Sequence, residues 1–350
     1  MSLPDRVHAL VQHWSTQWPT VPGFVVAIDR PEGAIAVARG TADPATGAPL
    51  TPQHAARIAS CTKPFVASVV LDLAASGALA LDDLALRHLD AETATVFAES
   101  PVAGTATVRR LLQHRSGLVD HSFFPEFNTI IDTDPHHVWT ALEQVAIAAS
   151  KPALFEPDTA FSYSDTGYVL LGQIIEHHTG APLAVAVRRA CRLDELDVPS
   201  IHWEIAEPTP PGVVRAHQFY EGADIHDWHP SLDLFGGGGI VATMPDLARW
   251  WTALFDGRVH PYLARMTAAP KSTLGPDGIM FPGGDAVGLC LFRSTHDDTA
   301  VWSHGGFWGL MTSHIPSRHT SIALMMVGRG QGSATPGELH RAVLAEVLAS

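Results

Sequence analysis

Apolar positions recur along this chain with two periods, and the order in which those periods occur predicts the architecture. Near the N-terminus Val7, Leu10, Val11, Trp14 and Trp18 fall on one side of a helix over residues 6–18. Two short β-rich runs follow, 23–29 and 34–39, and Pro31 and Gly33 between them predict a hairpin. Residues 42–52, rich in Pro, Thr and Gly, read as a loop, and 56–59 as the end of a strand. From Ser60 the apolar run Val66, Val69, Val70, Leu71 and Leu73 meets no glycine until Gly77, the pattern of a buried helix that starts near Ser60. Between about 80 and 230, helical patterns (79–89, 108–113, 138–150 and 167–178) alternate with Pro-containing loops. Residues 201–233 carry many Pro, His and Trp and little periodicity, as an irregular segment covering a site would. Beyond Gly236 to Gly239 come a helix over 246–255, β-like runs at 286–294, 300–303, 311–315 and 322–327, and a last helix over 336–349. Strands thus stand first and last with helices between. The predicted class is α+β: an antiparallel sheet flanked by helices from 1–75 and 235–350, plus an inserted helical region over 76–234. The active site is expected between them.

Composition narrows the partners. With 46% hydrophobic and 17% charged residues the 350-residue chain reads as globular. A formal net charge of -14 argues against nucleic acid and anionic membrane surfaces, which recruit clustered Lys and Arg. No run of eighteen apolar residues predicts a membrane span. Residues 1–12 lack the apolar core of a signal peptide, so a cytoplasmic location is expected. Cys61, Cys191 and Cys290 lie far apart, with neither a disulfide framework nor a CxxC pattern.

Candidate chemistry centres on Ser60-Cys61-Thr62-Lys63. Three residues apart on a helix, Ser60 and Lys63 share a face, placing a hydroxyl beside an amine at a helix N-terminus whose backbone donors favour an oxyanion. A helix-capping serine explains the same residues more simply, so the downstream chain decides. Tyr163 just precedes the helix over 167–178 and is placed to point its phenol into a cleft. His304 stands on a β-like run, and Gly305 and Gly306 after it let the backbone approach a ligand and donate an N–H. Four glycines at 236–239 lack the β-α-β context of a dinucleotide site and read as backbone passing close to something bulky.

Ser60-Cys61-Thr62-Lys63, Tyr163-Ser164-Asp165 and His304-Gly305-Gly306, in this order and spacing, resemble the three motifs of the penicillin-recognising serine hydrolases. The turn at 111–118, the helix at 163–179 and the stretch 254–258 are similar too. The resemblance covers roughly 24–330 and is closest to the D-amino acid amidase and D-aminopeptidase branch. It implies a β-lactamase/transpeptidase-like fold. It also implies that Ser60 is the acylated nucleophile, Lys63 its base and Tyr163 the relay to the leaving group. The N–H groups of Ser60 and Phe307 would form the oxyanion hole. His304, Gly305 and Gly306 would bind substrate, with His304 where the family carries Lys or His. Two departures stand out. Asp165 replaces the usual Asn and cannot donate a hydrogen bond when ionised; it would pair with a substrate ammonium, cap the following helix or hold Lys63. His304-Gly305-Gly306 replaces Lys-Thr-Gly, which disfavours β-lactam turnover.

The function expected is hydrolysis of small amides or peptides of D-amino acids through an acyl-enzyme, with a small-molecule substrate and no cofactor or metal. The alternatives are an esterase of the same fold and a catalytically silent binding homologue. Cys61 is a rival nucleophile turned about 100° away along a helix. Paired histidines such as His226 with His229, His136 with His137 and His177 with His178 lack a third ligand at motif spacing. The Gly-x-Ser-x-Gly elbow of another hydrolase fold is absent. Trp203, Trp228, Trp302 and Trp308 either line an apolar pocket or pack in the core.

Overall fold

A computed structural model describes residues 1–329 and 335–350. Its centre is an antiparallel nine-stranded sheet drawn from both ends of the chain. Across the sheet the strands run Lys271–Ser272, Ala286–Val287, Phe292–His296, Thr299–Gly306, Leu310–Ile315, Thr320–Met326, Gly23–Asp29, Ile35–Asp43 and Ala48–Pro49. The N-terminal hairpin turns where Gly33, at φ 119°, donates its N–H to the Arg30 carbonyl. Gly23–Asp29 then pairs with Thr320–Met326, Phe24 opposite Met326 and Ile28 opposite Ile322, joining the two ends of the chain.

Residues opposed in such a pair share a face. Phe24, Val26, Ile28 and Leu324 pack under the terminal helices Leu3–Gln17 and Pro336–Leu348, whose Val7, Val11, Trp14, Leu339 and Val343 complete one apolar layer. Val25, Ala27, Ala323 and Met325 face the other way, into a larger core with the helices Met244–Phe255 and Lys63–Ser76. Both faces are covered, so the central strands read as unbroken apolar runs instead of alternation. That larger core runs on into the helices Val108–Leu112 and Asp165–Thr179 through Leu111, Tyr168 and Leu171. Sheet and inserted helices therefore share one hydrophobic interior, and the site forms at their junction.

Several boundaries differ from the sequence reading, each for a local reason. No α-helix forms over 79–89; only a 3-10 turn, Ala85–His88, appears there. The Asp83 carboxylate accepts the Ala80 N–H at 2.7 Å, a side-chain contact that competes with helical pairing. The helix expected from 138 starts at Ala141, where Thr140 and Glu143 form a capping box. The run at 286–294 is split into Ala286–Val287 and Phe292–His296 by a segment in which Cys290 takes φ 80°. The helices Ala91–Phe97, Pro125–Thr133 and Leu183–Ala190 went unread, although Asp90 caps the first and Pro125 opens the second.

One buried histidine ties the sheet to the C-terminal helix and another bridges two of its strands. His340 accepts from or donates to Ser313 Oγ at 2.7 Å, and His314 pairs with Ser321 Oγ at 2.8 Å. Burial pushes His340 down to about 4 and His314 down to about 3. The folded chain thus keeps both rings neutral, while the unfolded chain protonates them below its ordinary value near 6.5. Their stabilising effect is full above that value and is lost as pH falls toward 4. Thermal melts between pH 7 and pH 4 should show a falling midpoint, and a His340→Gln variant a shallower fall.

Candidate active site

Ser60 lies where a small four-stranded sheet hands the chain to a helix. The strand His54–Arg57 pairs antiparallel with Ile240–Thr243, and the Ile58 N–H donates to the Ile240 carbonyl at 3.0 Å. Ala59 then takes φ 47°, a left-handed conformation that costs a non-glycine residue about 1–2 kcal/mol. A 3-10 turn over Ala59–Thr62 follows, and the α-helix runs from Lys63 to Ser76 with Pro64 in its first turn. The helix expected to start near Ser60 therefore begins as this tighter turn. In 3-10 geometry residues i and i+3 eclipse. Lys63 is drawn directly over Ser60, and its Nζ donates to Ser60 Oγ at 2.8 Å.

Lys63 is fully buried. An ammonium has three protons to donate, and three acceptors surround this one: Ser60 Oγ, the Gly237 carbonyl at 2.7 Å, and Asp165 Oδ1 in a short contact. Asp165 therefore holds the lysine through Oδ1. Asp165 does not cap its helix. Ser164 does so, its Oγ accepting the Gly167 N–H at 3.3 Å.

Tyr163 stacks on His114 with ring centroids 4.2 Å apart, and its ring lies 5.0 Å from Lys63 Nζ. Its buried hydroxyl has no well-aligned hydrogen-bond partner among the described residues. Burial pushes this phenol well above its ordinary range and the Asp165 charge adds to the rise; the neighbouring Ser60 side chain opposes it. His114 accepts the Ser164 N–H on Nδ1 at 3.1 Å, which fixes the segment carrying Tyr163.

The strand Thr299–Gly306 presents its end to the Ser60 turn. On one side its pairing with Phe292–His296 stops at Ser303, so the edge from His304 onward is unpaired there. A Cβ on Gly306 would come 2.4 Å from the Ile58 carbonyl, so only glycine lets this strand lie against the Ser60 turn. The N–H groups of Ser60 and Phe307 have no hydrogen-bond partner among the described residues. His304 is buried, its Nδ1 lies 2.8 Å from the Gly305 carbonyl, and burial pushes it down to about 3. It is therefore a neutral ring and supplies no positive charge for a substrate carboxylate. Neither His304 nor Gly305 nor Gly306 lines the cleft.

That cleft has a volume of about 720 Å³ and reaches Ser60, Asp165, Gly237 and Phe307. Phe127, Trp228, Phe235 and Trp308 give it apolar walls; Trp203 and Trp302 pack in the core instead. Among the described residues no lysine or arginine lines it, whereas Asp132, Asp165, Glu221 and Asp233 do. Two carboxyls near the lysine were missed from sequence. Asp120 accepts the Asp165 N–H at 2.8 Å, and Asp233 lies over Gly238, whose Cβ would sit 2.2 Å from a carboxylate oxygen. Burial and the Asp165 charge push each up to about 7. Arg329, also missed, donates to the Phe307 carbonyl at 2.7 Å and steadies that turn. Cys61 is turned into the core beside Thr312, and burial pushes its thiol up to about 12, which removes it as a thiolate nucleophile.

The glycine run serves this geometry. A Cβ on Gly236 would meet the Tyr168 carbonyl at 2.5 Å and one on Gly239 the Trp203 ring at 2.5 Å, while Gly237 turns its carbonyl to Lys63.

Known proteins are similar to this chain over most of its length. A family model described as Beta-lactamase matches residues 13–348. D-aminopeptidase of Brucella ovis is 28% identical over 350 residues, covering 93% of this chain and 62% of that protein. The chain thus spans less than two thirds of the length of that relative. Penicillin-binding protein 4 of Amycolatopsis lactamdurans is 27% identical over 276 residues, 75% of this chain and 68% of its own length. The crystal structure of D-amino acid amidase from Ochrobactrum anthropi SV3 complexed with L-phenylalanine superposes with a TM-score of 0.82 at 26% identity, covering 99% of this chain and 98% of that one. With nearly its whole length matched, the chain belongs to the β-lactamase family.

Proposed function

We propose that the protein is a serine hydrolase that forms an acyl-enzyme on Ser60 and cleaves small amides or peptides carrying a free α-ammonium, with D-amino acids as the acyl part. The observation that carries this reading is the 2.8 Å contact between Lys63 Nζ and Ser60 Oγ at the floor of an acidic cleft. When Lys63 gives up one proton, its remaining N–H bonds to Asp165 and Gly237 leave the lone pair directed at Ser60 Oγ. The amine then takes the hydroxyl proton as Oγ attacks the substrate carbonyl. The free N–H groups of Ser60 and Phe307 receive the oxyanion. Collapse expels the amine, which takes a proton through the Tyr163 hydroxyl, and water cleaves the ester in the reverse sequence.

The substrate class follows from charge. A cleft lined by carboxylates and aromatic walls, without lysine or arginine among the described residues, suits an ammonium and repels a terminal carboxylate. D-aminopeptidase and D-amino acid amidase are among the similar proteins, and the stereochemical part of the reading rests on them. Among the lining carboxylates, Asp233 accepts no hydrogen bond among the described residues and lies over Gly238, next to the glycine whose carbonyl holds Lys63. A charge-assisted contact is worth about 1.5–3 kcal/mol, so Asp233→Asn should raise KM for D-phenylalanine amide by about 10–100-fold and leave p-nitrophenyl butyrate unaffected. The pushed-up carboxyl also predicts that KM for the amide climbs as pH drops below about 7, where Asp233 takes a proton, while the ester shows no such rise.

Comparison of D-phenylalanine amide with its L-enantiomer and with p-nitrophenyl butyrate tests the assignment. Turnover of the D-amide well above both supports it. Turnover of the ester alone replaces it with a carboxylesterase.

A further inference from the structure

A second cleft, of about 810 Å³, lies on another part of the molecule and shares no lining residue with the catalytic one. We infer that it binds a small organic anion, a carboxylate on a short apolar chain, between Arg265, Lys271 and Arg109. The three cations come from separate segments. Arg109 sits in the helix Val108–Leu112, Arg265 in Leu263–Thr267 and Lys271 on the outermost strand, Lys271–Ser272.

Their charges are unevenly spent. Arg109 is matched by Asp82 at 2.7 and 2.9 Å. Arg265 and Lys271 form no ion pair among the described residues, and Arg265 lies 5.6 Å over the Tyr262 ring. Asp83 is the one acid in the lining; the Ala80 N–H at 2.7 Å and His88 at 3.1 Å both meet its Oδ2, so it stays as one negative charge among three cations. In a chain with a formal net charge of -14, a cleft lined by three cations and one acid stands against the overall field. Its floor is apolar, built by Leu79, Leu81 and Leu289, and suits a chain of a few methylenes. The catalytic cleft has the opposite character, acidic and without such cations among the described residues, so the two select different ligands. The carbonyls at the end of the helix Lys63–Ser76 also attract cations to this place; a purely electrostatic role of that kind predicts a loss of stability without any binding.

Titration calorimetry of the full chain with hexanoate and with acetate tests the site. Hexanoate should bind at least about tenfold more tightly than acetate, since each buried methylene is worth about 0.8 kcal/mol. Binding should weaken with added salt. The double variant Arg265→Gln/Lys271→Gln should lose at least about tenfold in hexanoate affinity, and Lys271→Gln alone a part of that. Equal affinity for the two acids, unchanged affinity in the variants, or no heat with either acid overturns the proposal. A lower melting point in the variants with no change in affinity assigns the cations to the helix end instead.

Discussion

Replacing Ser60 with Ala should lower kcat on D-phenylalanine amide by about five to six orders of magnitude, the loss typical when the nucleophile of an acyl-transfer enzyme is removed. The size follows from what remains. The oxyanion donors are backbone groups and survive the change, but no other hydroxyl or thiol takes the place of Ser60. Cys61, the neighbour in sequence, points into the core with its thiol pushed up to about 12. The substitution also deprives the buried Lys63 of one acceptor, which costs about 1–3 kcal/mol. A melting curve therefore belongs beside the kinetics: a folded, inactive variant is the expected result, and full activity would show that the chemistry lies elsewhere.

Replacing Lys63 with Met should lower kcat by about two to four orders of magnitude, the range for a positioned general base. It should also disturb the fold in a pH-dependent way. Met keeps the volume but removes the cation that touches Asp165 and lies among Asp120, Asp165 and Asp233. Stripping the partner from a buried charge costs about 3 kcal/mol. Asp120 and Asp233, already raised, escape part of that cost by holding protons, so their folded values move higher still. Carboxyls with raised folded values oppose folding above those values and cease to do so as pH falls. The gap in melting temperature between the wild-type chain and Lys63→Met should therefore be wider at pH 8 than at pH 6. An equal gap at both would mean that Lys63 does not neutralise this cluster.

Much of this arrangement was legible in the sequence. Sheet strands at both ends of the chain, and the order of the Ser60, Tyr163 and His304 motifs, carried the fold and the floor of the site. Strong periodicity does not reveal what a residue touches across the fold. The sequence offers Asp165 three roles, ammonium partner, helix cap or lysine partner; in the structure its Oδ1 contacts Lys63 and Ser164 caps the helix. Asp120 and Asp233 were passed over because each stands in an irregular stretch, and their closeness to Asp165 arises only when separate segments converge. The His304 ring has a motif position that suggests charge, yet burial keeps it neutral. The 3-10 turn at Ala59–Thr62 was read as the start of an α-helix, since both place residue i near i+3 and an apolar run does not tell them apart.

Labelling with a fluorophosphonate, read by intact and fragment mass spectrometry, tests most directly whether Ser60 is the covalent nucleophile, since its hydroxyl would displace fluoride and keep the phosphonyl group. One adduct per chain, located by fragmentation on Ser60 and not on the adjacent Cys61, with none in Ser60→Ala, is the predicted result. An adduct on any other residue, or labelling that persists in Ser60→Ala, would contradict it.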